Sequence, residues 1–238
     1  MKKNILLIAA LALLAFGFTS CEKKSAGHTS ITYYAEIVLE GGDMILAKGS
    51  TYVEPGYSAI MAGKDVTDQV KVDGAVNTAA SGVYVLTYSM VNADGFASSA
   101  SRTVVVLDPA DPIEGYWACD PASFRLNANT GAEVAYGYPF EILILSDPRG
   151  VYYVDDLLAG WYCQRAGYGT NYAMQAYIGV AADGAISLLQ SYVPGWGDTA
   201  DALDDGLFDP AKGTISYKLT YAGYLIFNVT LYKVDLGL

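Results

Sequence analysis

The chain has 238 residues and a formal net charge of −11 at pH 7, with 25 glycines, 20 tyrosines and only 16% charged residues. This length fits one or two domains. A chain with this much negative charge is not expected to bind nucleic acid through its overall electrostatic field, because that binding depends on neutralising phosphates with lysine and arginine. Few charges with many glycines and tyrosines favour an all-β extracytoplasmic protein over a helical one.

The chain begins with a predicted export signal. Two lysines precede an apolar run, residues 4–18, that is too short to span a bilayer and remain as an anchor. Small polar residues then lead into Cys21. The segment resembles a bacterial lipoprotein signal, in which the cysteine is acylated and becomes the new N-terminus, although Phe18 stands where that family usually has leucine. The alternative is an ordinary cleaved secretory peptide with an incidental cysteine.

The resemblance implies a signal peptide at 1–20, lipidation at Cys21, a polar tether at 21–30 and anchoring to the outer membrane of the cell envelope. Without the two signal lysines the net charge is −13, which disfavours docking on anionic lipid. The acyl chains must therefore anchor the protein, at about 0.8 kcal/mol per buried methylene. Lys23 and Lys24 follow the cysteine, in place of the acidic run that often accompanies export to the outer face. The periplasmic and extracellular faces both remain open.

Residues 31–107 read as short strands separated by turns. The clearest strand is 82–91, in which Tyr84, Leu86, Tyr88 and Met90 share one face. Residues 92–95 (NADG) predict a turn, and 102–107 (RTVVVL) a closing strand. Strands of this length and spacing are typical of a β-sandwich.

The stretch 47–106 resembles bacterial surface immunoglobulin-like domains, which are mostly spacers or binding modules. The matching features are spaced along the stretch: Gly49, Tyr52, Pro55-Gly56, Ala59, Asp65-Val66-Thr67, Val70, Val72, Gly74, Gly82, Tyr84 and Arg102-Thr103-Val104. Tyr84, just after Gly82, suits a tyrosine-corner role in which its hydroxyl ties the strand start to the backbone. The resemblance implies a fold and no reaction.

Residues 108–112 (DPADP) predict a stiff, extended linker, since they hold two prolines. The segment that follows, 113–238, alternates again. Its strongest feature is a hairpin of 215–221 and 225–231 around Ala222-Gly223, preceded by strands that include 161–165. Eight or nine sequential antiparallel strands predict an up-and-down β-barrel.

Gly115-Tyr116-Trp117, on the first strand of this segment, resembles the Gly-x-Trp of lipocalin-like barrels. The whole layout resembles two-domain Bacteroides lipoproteins, a resemblance that implies no particular activity. The predicted fold is thus an immunoglobulin-like β-sandwich at 31–107 followed by a lipocalin-like β-barrel at 113–238.

Catalytic and cofactor chemistry have little support in the sequence. His28 is the only histidine and lies in the tether, which argues against histidine-dependent triads and zinc sites. No phosphate loop or dinucleotide fingerprint is present, so no cofactor is expected. Asp155-Asp156 and Asp204-Asp205 are adjacent, and adjacent strand residues point to opposite faces, so we interpret them as solvated turn carboxylates. The sequence predicts a non-enzyme.

Two further sites are candidates only. The segment 197–210 is predicted to be an acidic loop, and Asp198, Asp201, Asp204 and Asp205 within it are a weak calcium candidate whose spacing does not match an EF-hand. The alternative is a soluble, negatively charged loop. Cys119 and Cys163 are a candidate disulfide in an oxidising compartment, and the alternative is two buried thiols.

The aromatic residues of the second segment are the best binding candidates. Trp196 and Tyr168 each lie between two glycines, where strand alternation does not bury them, and exposed aromatic rings stack on the apolar faces of sugars. Tyr172, Tyr192 and Trp161 join them if their strand ends converge, although the core is the favoured interpretation of Trp161. The leading hypothesis is a glycan-binding envelope lipoprotein. The alternatives are an assembly protein that binds an envelope protein partner, and a lipocalin-like carrier with an open cavity.

Overall fold

The computed structural model describes residues 31–238, whose regular secondary structure is almost all β-strand. The predicted signal peptide, the predicted lipidation site Cys21 and the predicted tether lie outside these residues. Within 31–238, no helix has the length and apolar character needed to cross a membrane. The all-β prediction is confirmed.

The first half contains two small sheets. A three-stranded sheet has the order β1-β3-β4, and a four-stranded sheet has the order β2-β7-β6-β5 with β2 parallel to β7. This is the predicted immunoglobulin-like domain. Its strands are β1 (Glu36–Leu39), β2 (Met44–Ala47), β3 (Tyr57–Met61), β4 (Lys64–Asp65), β5 (Lys71–Asp73), β6 (Gly82–Val91) and β7 (Ala97–Leu107).

Strand β6 forms as its alternation predicts. Leu86, Tyr88 and Met90 are buried on one face, and the strand pairs with β7 along its whole length. The Tyr84 hydroxyl donates to the Ala80 carbonyl at 2.9 Å, which confirms the predicted tie to the backbone. The guanidinium of Arg102 is 1% exposed and is neutralised by Glu54.

The second half is a single ten-stranded antiparallel sheet that curls into a half-barrel. Strands follow the order β8-β11-β12-β13-β14 on one side, and β17 pairs with β8, β9 and β16 on the other. The two sides meet between β14 and β15, where the isolated bridges Ala185–Leu207 and Val193–Asp198 lie at the two ends of β14. The strands are β8 (Gly115–Cys119), β9 (Phe124–Asn127), β10 (Ala132–Ala135), β11 (Glu141–Asp147), β12 (Val151–Val154), β13 (Gln175–Val180), β14 (Ile186–Tyr192), β15 (Ala200–Asp209), β16 (Thr214–Tyr221) and β17 (Leu225–Lys233).

The interior of the half-barrel is filled by its own side chains. Trp117, Phe227 and Leu219 are fully buried in a continuous apolar cluster. The cavity inside measures about 10 Å³, which is room for about one water molecule. The carrier hypothesis is therefore wrong for this fold, because a small-ligand site needs roughly 300–1,000 Å³.

Two local predictions are also wrong. Residues Trp161–Arg165 form a π-helical turn and not a strand, because Gly160 before them takes a left-handed conformation with φ of 83°. A side chain at position 160 would also collide with Phe140. The expected acidic loop is largely strand β15, which pairs with β16 through two irregularities that accommodate its aspartates.

The two halves contact each other directly. Val105 and Leu107 of β7 pack against Leu143 and Leu145 of β11. Between them Glu114 is buried, and its carboxylate accepts hydrogen bonds from the Asp108 amide at 2.8 Å and from Ser146. Lys233 donates to the Pro112 carbonyl at 2.8 Å, so the segment 108–112 is fixed at both of its ends.

Candidate binding site

A buried carboxylate shapes the loop between β12 and β13. Asp156 is 2% exposed. Its two carboxylate oxygens accept hydrogen bonds from the backbone amides of Leu158 (3.0 Å), Met174 (2.9 Å) and Gly160 (2.9 Å). Burial raises the pKa of Asp156 above its ordinary value. The interpretation of Asp156 as a solvated turn carboxylate is wrong, since it is the hub that closes residues 156–174 into a compact loop.

This loop presents tyrosines beside the β14–β15 turn. Tyr162, Tyr168, Tyr172 and Trp196 form one mutually contacting group, which we call the aromatic platform. Ring centroids are 4.8 Å apart for both Tyr162–Trp196 and Tyr172–Trp196, and 5.5 Å apart for Tyr168–Tyr172. Tyr162 and Tyr168 are nearly parallel, at 17° and 6.2 Å.

Close backbone contact holds the two loops of the platform together. The Gly195 amide donates to the Asn171 carbonyl at 2.6 Å. A side chain at position 195 would lie 2.6 Å from the Tyr172 ring, so only glycine permits this approach. Trp196 is thereby seated against Tyr172.

The platform is open to solvent. Tyr168 is 56% exposed and Trp196 is 40% exposed. Together with Tyr172 they line a shallow cleft of about 260 Å³. Wide aromatic faces in this setting are able to hold a flat, partly apolar ligand.

The other two predicted members do not belong to the platform. Trp161 is 3% exposed, and its ring packs edge-on against Tyr136 and Phe227 in the core. It cannot offer a face to a ligand, because the π-helical turn directs it inward. Tyr192 is exposed, but among residues 31–238 it has no ring contact with the platform. Tyr162 was not predicted to belong to the site, because it lies in a segment predicted to be a strand and has no flanking glycine.

Cys119 and Cys163 are separate thiols, contrary to the disulfide candidate. Cys119 is fully buried on β8, and the Cys163 Sγ donates to Asp156 Oδ2 at 3.2 Å. Burial, followed by the negative charge of Asp156, raises the pKa of the Cys163 thiol to about 12. Burial likewise raises the pKa of Cys119, to about 11. Neither thiol is suited to nucleophilic chemistry, which requires the thiolate.

The calcium candidates are dispersed in the structure. Asp198 accepts a hydrogen bond from the Tyr221 hydroxyl at 2.8 Å, and Asp201 accepts one from the Gly223 amide at 2.7 Å. Asp204 and Asp205 are exposed on β15. Across 31–238, no three acidic, histidine or cysteine side chains converge in a way that would hold a metal ion.

Both halves of the chain match known protein families. A family model for a C-terminal domain matches residues 106–233, and one for a bacterial surface protein Ig-like domain matches 37–106. The crystal structure of the lipoprotein BT2262 from Bacteroides thetaiotaomicron is 39% identical, with a TM-score of 0.70, over 84% of this chain and 100% of that chain. The chain belongs to the family of this lipoprotein. The BT2262 relationship and the surface Ig-like domain indicate a protein of the bacterial envelope.

More distant matches carry no functional argument. Two structures from Clostridium perfringens ZmpB contain the CBM51-2 module, one in complex with GlcNAc and one with the M60 catalytic domain. Both are 12% identical, with TM-scores of 0.26 and 0.27. They cover 84% and 88% of this chain, and 45% and 22% of their own chains. No curated protein matches the sequence.

Proposed function

We propose that this BT2262-family protein is a non-catalytic, lipid-anchored protein of the outer membrane that binds glycans on its aromatic platform. The observation that carries the proposal is the convergence of Tyr168, Tyr172 and Trp196 around one open cleft. Their rings contact each other and remain accessible, and a cluster of exposed rings marks an interaction site more often than rings exposed singly do.

The shape of the cleft favours a sugar ring that stacks on the aromatic faces over a ligand that is enclosed in a pocket. Its volume of about 260 Å³ lies below the roughly 300–1,000 Å³ of enclosed small-molecule sites. A sugar placed there contacts the rings with its apolar face and keeps its hydroxyls in water. Such a site retains extended polysaccharides better than isolated monosaccharides, since weak contacts along a repeating chain add through effective concentration.

The rest of the molecule suits presentation of this site. The immunoglobulin-like half lies between the predicted anchor at Cys21 and the half-barrel. Direct packing of Val105 and Leu107 on β11 makes it a firm spacer instead of a swinging one. Whether the platform faces the periplasm or the medium depends on export of the lipidated chain, which fluorescent antibody labelling of intact cells would distinguish.

Affinity electrophoresis against a panel of neutral and charged polysaccharides tests the proposal. The variants are Trp196→Ala and, as a matched control, Tyr138→Ala, which removes an exposed ring that contacts only Phe140 among the described aromatic residues. We expect at least one polysaccharide to retain the wild type and the control but not Trp196→Ala. Failure of every polysaccharide to retain the wild type, or equal retention of all three proteins, would contradict the proposal.

A further inference from the structure

Two arginines beside the aromatic platform distinguish it from the rest of the half-barrel. The Arg125 guanidinium carbon lies 4.8 Å from the centre of the Trp161 ring, and that of Arg165 lies 4.3 Å from it. The Phe227 ring contacts both Trp161 (5.7 Å) and Tyr162 of the platform (6.3 Å), and Arg125 is its partner in the β9–β17 pairing. The two cations therefore lie near the Tyr162 side of the platform. Burial raises the pKa of the Tyr162 hydroxyl, and Arg125 acts against that rise.

These cations lack the partners that neutralise others in this half. Residues 113–238 contain six lysines and arginines. Arg149 pairs with Asp147 and Lys212 with Asp209, while Lys233 donates to two backbone carbonyls. Lys218 lies opposite Asp204 in the β15–β16 pairing. Within residues 31–238, Arg125 and Arg165 form no ion pair with a carboxylate, and the buried Nε of Arg125 has no acceptor. The Nε of Arg165 donates a hydrogen bond to the Tyr136 carbonyl at 3.2 Å.

An unpaired, half-buried guanidinium is costly in a chain that carries an excess of carboxylates to pair with it. A planar guanidinium is also the side chain best suited to bidentate contact with carboxylate or sulfate oxygens. On the other hand, Asp198 is held near the platform by Tyr221, whose ring contacts Tyr162. Asp198 repels an anionic group and accepts hydrogen bonds from sugar hydroxyls, so it favours one orientation of a charged sugar.

We propose that the ligand of the platform is an anionic glycan, whose carboxylate or sulfate group is bound by Arg125 and Arg165 while a sugar ring stacks on Trp196 and its neighbours. This rests on the proposed function and specifies its substrate class. The overall negative charge of the protein does not prevent it, because at physiological ionic strength charges more than about 8 Å apart are largely screened. The local arginines then decide the interaction.

The test compares matched polymers that differ in charge. Polygalacturonate is paired with its methyl ester, and dextran sulfate with dextran, so the two pairs separate a carboxylate from a sulfate requirement. The variants are Arg165→Gln, which alters an exposed side chain, and Arg149→Gln as control. Arg149 also lies over an aromatic ring, Tyr177 at 4.5 Å, but away from the platform. Arg125→Lys keeps the charge and tests the fork geometry, with thermal melting to verify that each variant is folded.

We expect the anionic member of at least one pair to bind more tightly. Arg165→Gln should weaken that binding about tenfold, equivalent to about 1.4 kcal/mol, while Arg149→Gln matches the wild type. Equal binding of the anionic and neutral members, or the same effect from Arg165→Gln and Arg149→Gln, would overturn the inference. If binding is lost in Trp196→Ala but unaffected by Arg165→Gln, glycan binding stands and the anionic requirement falls. If no polymer of any charge binds, both proposals fall.

Discussion

Removing the Asp156 carboxylate tests how the platform is held in place. Asp156→Ala leaves three buried amides, those of Leu158, Gly160 and Met174, without their acceptor. Each unsatisfied buried donor costs about 1–3 kcal/mol. The raised pKa of Asp156 shows that burying its charge is itself unfavourable, and removal of the charge offsets part of the loss. We therefore expect the lower end of the summed range, a loss of about 3 kcal/mol in the free energy of unfolding.

Two further variants separate the carboxylate from its hydrogen bonds. Asp156→Asn keeps one oxygen for Leu158 and Met174 but turns an amide donor toward the Gly160 amide, so its loss should be about 1–2 kcal/mol. Asp183→Ala makes the same chemical change at an exposed turn, where one bond to the Ala185 amide is at stake. It should cost about 1 kcal/mol or less.

Urea unfolding followed by tryptophan fluorescence is the suitable assay. All three tryptophans lie in residues 113–238, so the signal reports on the half-barrel and not on the immunoglobulin-like half. The reasoning is refuted if Asp156→Ala lies within about 1 kcal/mol of the wild type, or if it cannot be distinguished from Asp183→Ala. A folded Asp156→Ala protein should also lose retention by whichever polysaccharide retains the wild type, because the loop carries Tyr162, Tyr168 and Tyr172.

Three other predictions concern charge and thiol chemistry. Burial raises the pKa of Asp155 from 3.8 to about 6, so this carboxyl stays protonated to a higher pH in the folded state than in the unfolded state. Its contribution to stability should therefore fall as the pH rises from about 4 to about 6, by at most about 3 kcal/mol, and the difference between wild-type and Asp155→Asn denaturation curves should show this. Arg102→Met leaves the partly exposed Glu54 and two backbone carbonyls, those of Glu40 and Gly56, without their donor. It should destabilise the immunoglobulin-like half by about 2–3 kcal/mol, whereas Arg149→Met should cost less than about 1 kcal/mol, by calorimetry. Cys119 and Cys163 should both alkylate in urea without reductant but scarcely in the native protein at pH 8, as mass spectrometry will show; a protein that alkylates only after reduction would contradict the separate thiols.

Much of the fold was predictable from local patterns. Strand β6 and the β16–β17 hairpin follow from two-residue alternation, since each buries one face against its own domain. The hydrogen bond of Tyr84 followed from its position after Gly82. In these segments neighbouring residues and the general need to bury apolar surface determine the structure.

The binding loop was less predictable because distant contacts determine it. Nothing near Trp161 in the sequence shows that Asp156 would be buried, or that Gly160 would approach Phe140 and reverse the chain. The glycines around Trp196 and Tyr168 correctly marked exposed rings, because a residue between two glycines lacks neighbours that cover it. No flanking glycine or other local pattern identifies Tyr162, Arg125 or Arg165, and their role depends on segments far apart in the chain.

The indole N–H signals of the three tryptophans test the central claim most directly. Trp117 and Trp161 are buried, and the Trp117 indole donates to the Ile113 carbonyl at 2.8 Å, whereas Trp196 is exposed on the platform. In a ¹⁵N–¹H spectrum titrated with an oligosaccharide of the retained polymer, the Trp196 signal should shift in a saturable way while the Trp117 signal stays fixed. Saturable binding that leaves the Trp196 signal in place would contradict the account.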